Sequence, residues 1–585
     1  MTRKIIWYLV SSLLVLSLVL VSCSEVDTEE EEIVSSDVPK YGGVLTIGAN
    51  QEPSTFDDAA IGNPSSAYTL MQTNDMLIIG DWTKGSAGTG EADWSFTSVR
   101  KWEIHTGCLA ESWEMPEYGH IIFHIRRGVH FSLDPDNEAS RLVNGRELTA
   151  GDVATSLNEI ISNPKANLGF CDSKHAIITA PDKWTVDMKL PEEYFTWATI
   201  LAGSAYIKPP EVREKYGDMA AWENSVGTGP FILKEYVVGS SVTLARNDNY
   251  WDVDPIGPGK GNQLPYLDGI KFLIITDTST RLAALRTATI DVLHNVARED
   301  ADSLKETNSD IMSKKLYRGA GKAINMRIDK MDLPFNDKNV RRALMMATDF
   351  ETINRDYYGG EAQILSWPIL DTKEYHDAYL GLEDPEMPES VKELYVYNPT
   401  KAKELLADAG YPTGFTATIL CNSIPEYVDY VSIIKDMWSK VDVELVIDAK
   451  EPGAYFGLYM SMNYDEMLLG GPMVVGSAFQ AYNYAGANIG GNHSHVDDPL
   501  ANEVKEEMGR LEAIDIDECA RVHKEFMKYA LDQAWSIPAP TPPAYHLWWP
   551  WLKNYHGEYS VGVEGSYIYP RWVWIDQDLK KEMTD

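Results

Sequence analysis

Apolar residues recur along this chain in two patterns. Tyr41-Gly42-Gly43 leads into Val44-Leu45-Thr46-Ile47-Gly48, and glycines before a β-branched run predict a turn entering a buried strand. Ile121-Ile122-Phe123-His124-Ile125 predicts a second strand, and residues 270–275 (Ile, Lys, Phe, Leu, Ile, Ile) a third that is largely buried. Elsewhere the period is helical. Val153, Leu157, Ile160 and Ile161 share a face downstream of Thr149, a capping residue, with Asp152 placed to suit the helix dipole. Asn398-Pro399 predicts another helix start, with Ala402, Leu405, Leu406 and Ala409 on one face and a stop at Gly410 and Pro412. A third helix starts near Asn336-Asp337 and buries Val340, Ala343, Leu344 and Ala347. Such interleaving predicts an α/β fold, and 585 residues are too many for one core, so several domains are expected. Gly/Pro-rich connections occur at 226–230 and 255–265, and no internal repeat is present.

The amino terminus has its own pattern. Arg3 and Lys4 precede an apolar run from Ile5 to Val21 that ends in Leu20-Val21-Ser22-Cys23. A run of that length is compatible with a membrane anchor, but the ending resembles the bacterial lipobox, in which a small residue precedes a Cys whose thiol is lipidated. Residues 1–22 then form a lipoprotein signal peptide, with Cys23 as the lipidation site. Residues 23–40, rich in Glu, form an acidic tether. The protein is expected to be exported and held at the outer face of the cytoplasmic membrane or in the periplasm.

Charge and cysteines narrow the possibilities. With 88 acidic and 51 basic residues the net charge is -37, which repels phosphate backbones, so no nucleic acid is expected as a partner. The 17 Trp and 31 Tyr suit both cores and pockets. Cys108, Cys171, Cys421 and Cys519 match no zinc spacing; one or two disulfides are compatible with export, with their pairing left open. His493-Ser494-His495 with Asp497 and Asp498 would share a face only in a strand, and the Gly486–Gly491 surroundings predict a loop, so neither metal nor cofactor is expected. The chain has no Gly-x-Ser-x-Gly elbow and no acid pair placed by spacing; a secreted hydrolase is therefore the disfavoured alternative and no enzyme is expected.

Several segments, in order, resemble the family 5 extracellular solute-binding proteins, the peptide, oligosaccharide and nickel receptors of ABC importers. They are Gly42-Gly43-Val44-Leu45-Thr46 with Glu52-Pro53-Ser54-Thr55-Phe56-Asp57, Leu109-Ala110-Glu111-Ser112-Trp113-Glu114, and Asn144-Gly145-Arg146-Glu147-Leu148-Thr149. Val226-Gly227-Thr228-Gly229-Pro230-Phe231, Arg246-Asn247-Asp248-Asn249-Tyr250-Trp251 and Val340-Arg341-Arg342-Ala343-Leu344 continue the match. The resemblance implies a two-lobed periplasmic-binding-protein fold, type II and cluster C, with an inserted third domain. By that mapping lobe I takes 41–58, 183–290 and 535–585, the inserted domain 59–182, and lobe II 291–534. It also implies a small peptide-like or oligosaccharide-like solute held between the lobes, ABC permease subunits as partners, and a monomer. A sensor or adhesin lipoprotein that retains the fold is the remaining alternative.

The match departs from the family at one place. Peptide-binding members carry a Trp and then an Asp, which grips the peptide amine, where this chain runs Leu469-Gly470-Gly471-Pro472-Met473. An unpaired ammonium in a closed cleft is costly, so a neutral polyhydroxylated ligand fits this stretch equally well. Candidate pocket residues are Glu52, Trp367, Phe479, Tyr482 and Tyr484. The run Trp548-Trp549-Pro550-Trp551 is expected to pack rather than to stack on a sugar.

Overall fold

The computed structural model describes residues 38–59, 67–94, 101–166, 172–317, 321–471, 492–562 and 567–585. The signal peptide, Cys23, the tether up to Asp37, Cys171, Phe479, Tyr482 and Tyr484 lie outside the described residues. Val38–Asp585 forms one compact unit. Among the described residues no helix is long and apolar enough to cross a membrane.

Three sheets organise the unit. In chain order their strands are β1 (Val44–Ala49), β2 (Ala110–Glu117), β3 (His120–Ile125), β4 (Ile177–Asp182), β5 (Thr185–Lys189), β6 (Phe231–Val237), β7 (Ser241–Arg246) and β8 (Gly269–Ile274). They continue with β9 (Val292–Val296), β10 (Met312–Leu316), β11 (Ala323–Met326), β12 (Phe415–Asn422), β13 (Val443–Lys450), β14 (Met467–Gly470), β15 (Ser536–Pro538) and β16 (Ala544–Trp548). The seven-stranded sheet has the order β10-β16-β9-β1-β8-β7-β6, the five-stranded sheet β13-β12-β14-β11-β15, and the four-stranded sheet β2-β3-β5-β4.

The predicted elements appear where the patterns put them. Gly42 and Gly43 take positive φ (116° and 85°), the left-handed region that glycine enters freely, and turn the chain into β1. That strand lies at the centre of its sheet, parallel to β8 in the register Leu45↔Ile270 and Ile47↔Phe272, and all four side chains are buried. Helix α1 (Ala150–Ser162) starts in a full capping box between Thr149 and Asp152 and buries Val153, Leu157, Ile160 and Ile161. Helix α2 (Lys338–Met346) is capped by Asp337, and α3 (Pro399–Asp408) by Asn398. In α3, Ala402 and Leu406 are buried while Leu405 and Ala409 are only half-buried.

Strand pairing bears on the limits that the resemblance implies. A boundary at 182/183 would cut the paired strands β4 and β5, both in the four-stranded sheet. Strands β9 and β10 belong to the seven-stranded sheet although they follow residue 291, and β15 belongs to the five-stranded one although it follows 535. Among the described residues Cys108, Cys421 and Cys519 are buried free thiols.

A buried ion cluster fixes the first loop after β1. Lys208 (5% exposed) lies 3.1 Å from Asp57 and also contacts Asp58, while Arg213 Nη2 donates to both Asp57 oxygens at 2.8 Å. Burial pushes the Asp57 carboxyl up, but Lys208 and Arg213 outweigh it and bring it to about 2. Burial holds the Lys208 ammonium below its usual value, so the desolvation cost falls on the lysine. Because the folded value for Asp57 lies below the unfolded one, this carboxylate stabilises the fold fully above about pH 4. Its contribution, about 2 kcal/mol, is lost as the pH falls towards 2. Acid titration of Asp57→Asn, followed by circular dichroism, should show a shallower loss of stability between those values. An unchanged slope would refute the assignment.

Candidate functional site

Two crossings join the seven-stranded and five-stranded sheets: the connection from Leu316 to Ala323, and the return from Pro538 to Ala544. They touch, since Ala539 N–H donates to the Lys322 carbonyl at 2.8 Å. A third chain segment laces them. Gln363 and Thr541 exchange both backbone hydrogen bonds at 3.0 Å, and the Ser366 hydroxyl donates to the Ala539 carbonyl at 2.8 Å. Tyr317 donates to the Glu361 carbonyl and Tyr545 to its carboxylate, each at 2.6 Å. Gly321 is required here, because a Cβ would sit 2.6 Å from the Ser366 carbonyl oxygen. Three chain segments, laced in a row, thus form the neck between the two sheets.

Ligands of open α/β sheets gather beyond the carboxyl ends of parallel strands. In the seven-stranded sheet, the end of β1 leads to Glu52. Its carboxylate accepts from the Gly239 amide at 2.9 Å and the Tyr236 hydroxyl at 2.8 Å, and these bonds hold it below the usual range. Burial, then Glu52, pushes the Tyr236 phenol up to about 12. Glu52 therefore clasps the β6–β7 turn while keeping an exposed face.

In the five-stranded sheet, β12 runs parallel to β13 and β14, and the carboxyl end of β14 is walled by aromatics. Tyr455 donates to the Leu469 carbonyl at 2.7 Å and Tyr459 to the Gly471 carbonyl at 2.5 Å. The His493 ring stacks on Tyr459 at 4.3 Å, and its backbone carbonyl accepts from Tyr464. Burial pushes the His493 imidazole down to about 4, so it is neutral at ordinary pH. Ser494 is built into the sheet edge through Asn325 and Ser536, while Asp498 caps the helix Pro499–Ile514 and accepts from Tyr529. Among the described residues no three of His, Cys, Asp and Glu converge to hold a metal ion.

Of the candidates read from sequence, Glu52 and Trp367 lie among the described residues. Glu52 lies on the seven-stranded side, and Trp367, 3% exposed, is packed in the core beside the lacing segment. Trp549 and Trp551 stack on each other at 4.8 Å, both buried, and donate inward to Leu285 and Asp291, so this run packs.

Sequence reasoning missed the seam between the two sides, which comes close to the neck where Asp371 and the Gln363 side chain exchange hydrogen bonds at 2.9 and 3.0 Å. There the buried Glu374 reaches across to the Asp93–Trp94 backbone, Lys101 lies over the Tyr375 ring at 5.6 Å, and Tyr118 donates to the Gly509 carbonyl at 2.7 Å. Burial, reinforced by Asp93, holds the Glu374 carboxyl above its ordinary value. Nothing in Lys373-Glu374-Tyr375-His376 distinguishes it from a solvated turn, so no sequence signal pointed there.

A family profile described as bacterial extracellular solute-binding proteins, family 5 middle, matches residues 106–490, about two thirds of the chain. The chain belongs to the family 5 bacterial extracellular solute-binding proteins. Its relatives in this family include di/tripeptide-binding protein 1 of Pseudomonas aeruginosa, 25% identical over 62% of this chain and 66% of that protein. Heme-binding protein A of Haemophilus influenzae is 26% identical over 57% of this chain and 60% of that one. The glutathione-binding protein GsiB of Salmonella choleraesuis is 27% identical over 50% and 51%. The chain thus matches between half and two thirds of the length of these curated relatives.

Solved structures extend the likeness to nearly the whole chain. The oligopeptide-binding protein AppA from Bacillus subtilis, in complex with a nonapeptide, superposes with a TM-score of 0.67 at 19% identity, covering 92% of this chain and 100% of that one. HbpA2 from Haemophilus parasuis gives 0.70 at 20%, covering 91% and 100%. The fold is that of the two-lobed type II periplasmic binding proteins.

Proposed function

We propose that this protein is the receptor of an ABC importer and captures a peptide-like solute between its two lobes. The observation that supports this reading is the laced neck between two sheets, an arrangement suited to closure on a guest that touches both. Binding to both halves favours the closed population, the form a permease would select. Glu52, Trp367, Phe479, Tyr482 and Tyr484 are the proposed pocket contributors. The relatives named for di/tripeptides and glutathione support the peptide-like class. In this reading the protein acts as a monomer, exported and anchored through Cys23, and performs no reaction on its ligand. Strand pairing supports lobe I at about 41–58, 190–316 and 544–585, lobe II at about 323–538, and the inserted domain between 59 and 189.

A thermal-shift screen of di- to pentapeptides, oligosaccharides, heme and nickel chelates tests the proposal. A solute at a hundred times its Kd stabilises the native state by about 2.7 kcal/mol, a shift of several degrees. Peptides should produce that shift and be recovered intact. A shift by oligosaccharides alone would reassign the ligand class, and cleavage of the peptides would overturn the receptor reading.

A further inference from the structure

We propose that Glu374 is a closure latch, a side chain of one lobe that docks on the backbone of the other and sets how often the cleft is shut before any solute arrives. The inference rests on the two-lobed arrangement and concerns the solute-free state.

Glu374 belongs to the five-stranded half. Its short helix, Lys373–Ala378, is tied to the helix Ile516–Gln533 by the buried His523, whose Nδ1 bonds to the Ala378 carbonyl at 2.9 Å. Asp93 and Trp94, within the segment 59–189 assigned above to the inserted domain, are fastened to the seven-stranded side. The Trp94 carbonyl accepts from Tyr559 at 2.9 Å, Trp82 stacks on Trp572 at 4.8 Å, and Asp93 pairs with Lys314 of β10 at 3.5 Å. Across the seam, Glu374 Oε1 accepts from the Trp94 amide at 2.9 Å and the Asp93 amide at 3.1 Å. Lys373 completes the clasp, 3.4 Å from Asp93.

Three features make this contact reversible rather than permanent glue. Glu374 is 3% exposed, yet its Oε2 has no hydrogen-bond partner, so docking gains two bonds and forfeits the hydration of one oxygen. Trp94 sits at φ 50°, a conformation uncommon for an aromatic residue and found where structure is held under tension. Beside the contact the seam widens into a cavity of about 480 Å³ lined by Glu91 and Asp93 on one side and Asp371, Lys373 and Asp377 on the other. The clasp therefore has space on one flank, while Trp94, Tyr375 and Ala378 beside it belong to the buried core. A contact so nearly balanced shifts a two-state population instead of locking it.

Single-molecule energy transfer on the full chain tests this without any solute, with dyes at the exposed Val238 and Met331, one on each half. Glu374→Ala, which strips the acceptor from two backbone amides, should lower the closed-to-open ratio about tenfold, the worth of one buried hydrogen bond. Glu374→Gln, which keeps a carbonyl oxygen in place, should lie between Ala and the native residue. Identical distance distributions for all three would overturn the latch, as would a loss of melting temperature in Glu374→Ala with its distances unchanged. Because no ligand enters the measurement, a latch that fails here leaves the receptor proposal standing, and a failed solute screen leaves the latch standing.

Discussion

Asp75→Ala should lower the free energy of unfolding by about 3–5 kcal/mol, measured by urea denaturation, because it leaves a guanidinium buried without its counter-charge. Arg571 is 1% exposed and Asp75 fully buried, with 3.3 Å between them. Asp75 also accepts from Trp251 at 3.0 Å and Thr228 at 3.2 Å, while Arg571 reaches the Tyr250 hydroxyl at 3.1 Å and the Met71 carbonyl at 3.3 Å. Asp252 compensates less, since its interaction with Arg571 is smaller than that of Asp75 and burial pushes its carboxyl up to about 6. The knot ties the fully buried helix Ala67–Thr73 to the C-terminal segment, nearly five hundred residues away in sequence (about the whole folded chain). Asp75→Asn, which keeps an acceptor of the same shape, should cost clearly less. A loss below about 1 kcal/mol in the alanine variant would show that the pair adds nothing beyond its own desolvation.

The second large effect concerns Trp551. It is fully buried, parallel to Trp549, and its Nε1 donates to Asp291 at 2.8 Å. Asp291 in turn accepts from the Thr46 amide at 2.7 Å and from Lys580 at 2.6 Å, so one carboxylate gathers β1, the tryptophan run and the last helix. Trp551→Ala should cost about 3–5 kcal/mol, as large buried aromatics do. Affinity for any solute, measured on the folded fraction by calorimetry, should change less than twofold (about 0.4 kcal/mol). Near-native stability together with abolished oligosaccharide binding would reinstate the sugar-stacking role.

The strands and helices were legible where local chemistry and burial agree. Gly42-Gly43 before β1, Thr149 with Asp152 before α1 and Asn398-Pro399 before α3 each combine a boundary signal with a one-sided apolar face. Limits of the three parts were less legible, because they depend on which strand pairs with which. Nothing local in Val292-Leu293-His294 says that β9 returns to β1 and β16. Least legible was the seam. Glu374 reads as a surface acid, and its burial arises only when a segment some 280 positions earlier folds over it. The neck was similarly hidden, since Gln363 and Thr541 meet through backbone atoms that carry no side-chain signature.

The lacing of that neck by residues 361–366 bears on how a guest is handed over. On the proposed receptor function, three chain segments bonded side by side would resist twisting more than bending, so the halves would part and meet along a single arc. Each capture would then present the guest to the outside world in the same attitude, whatever its size.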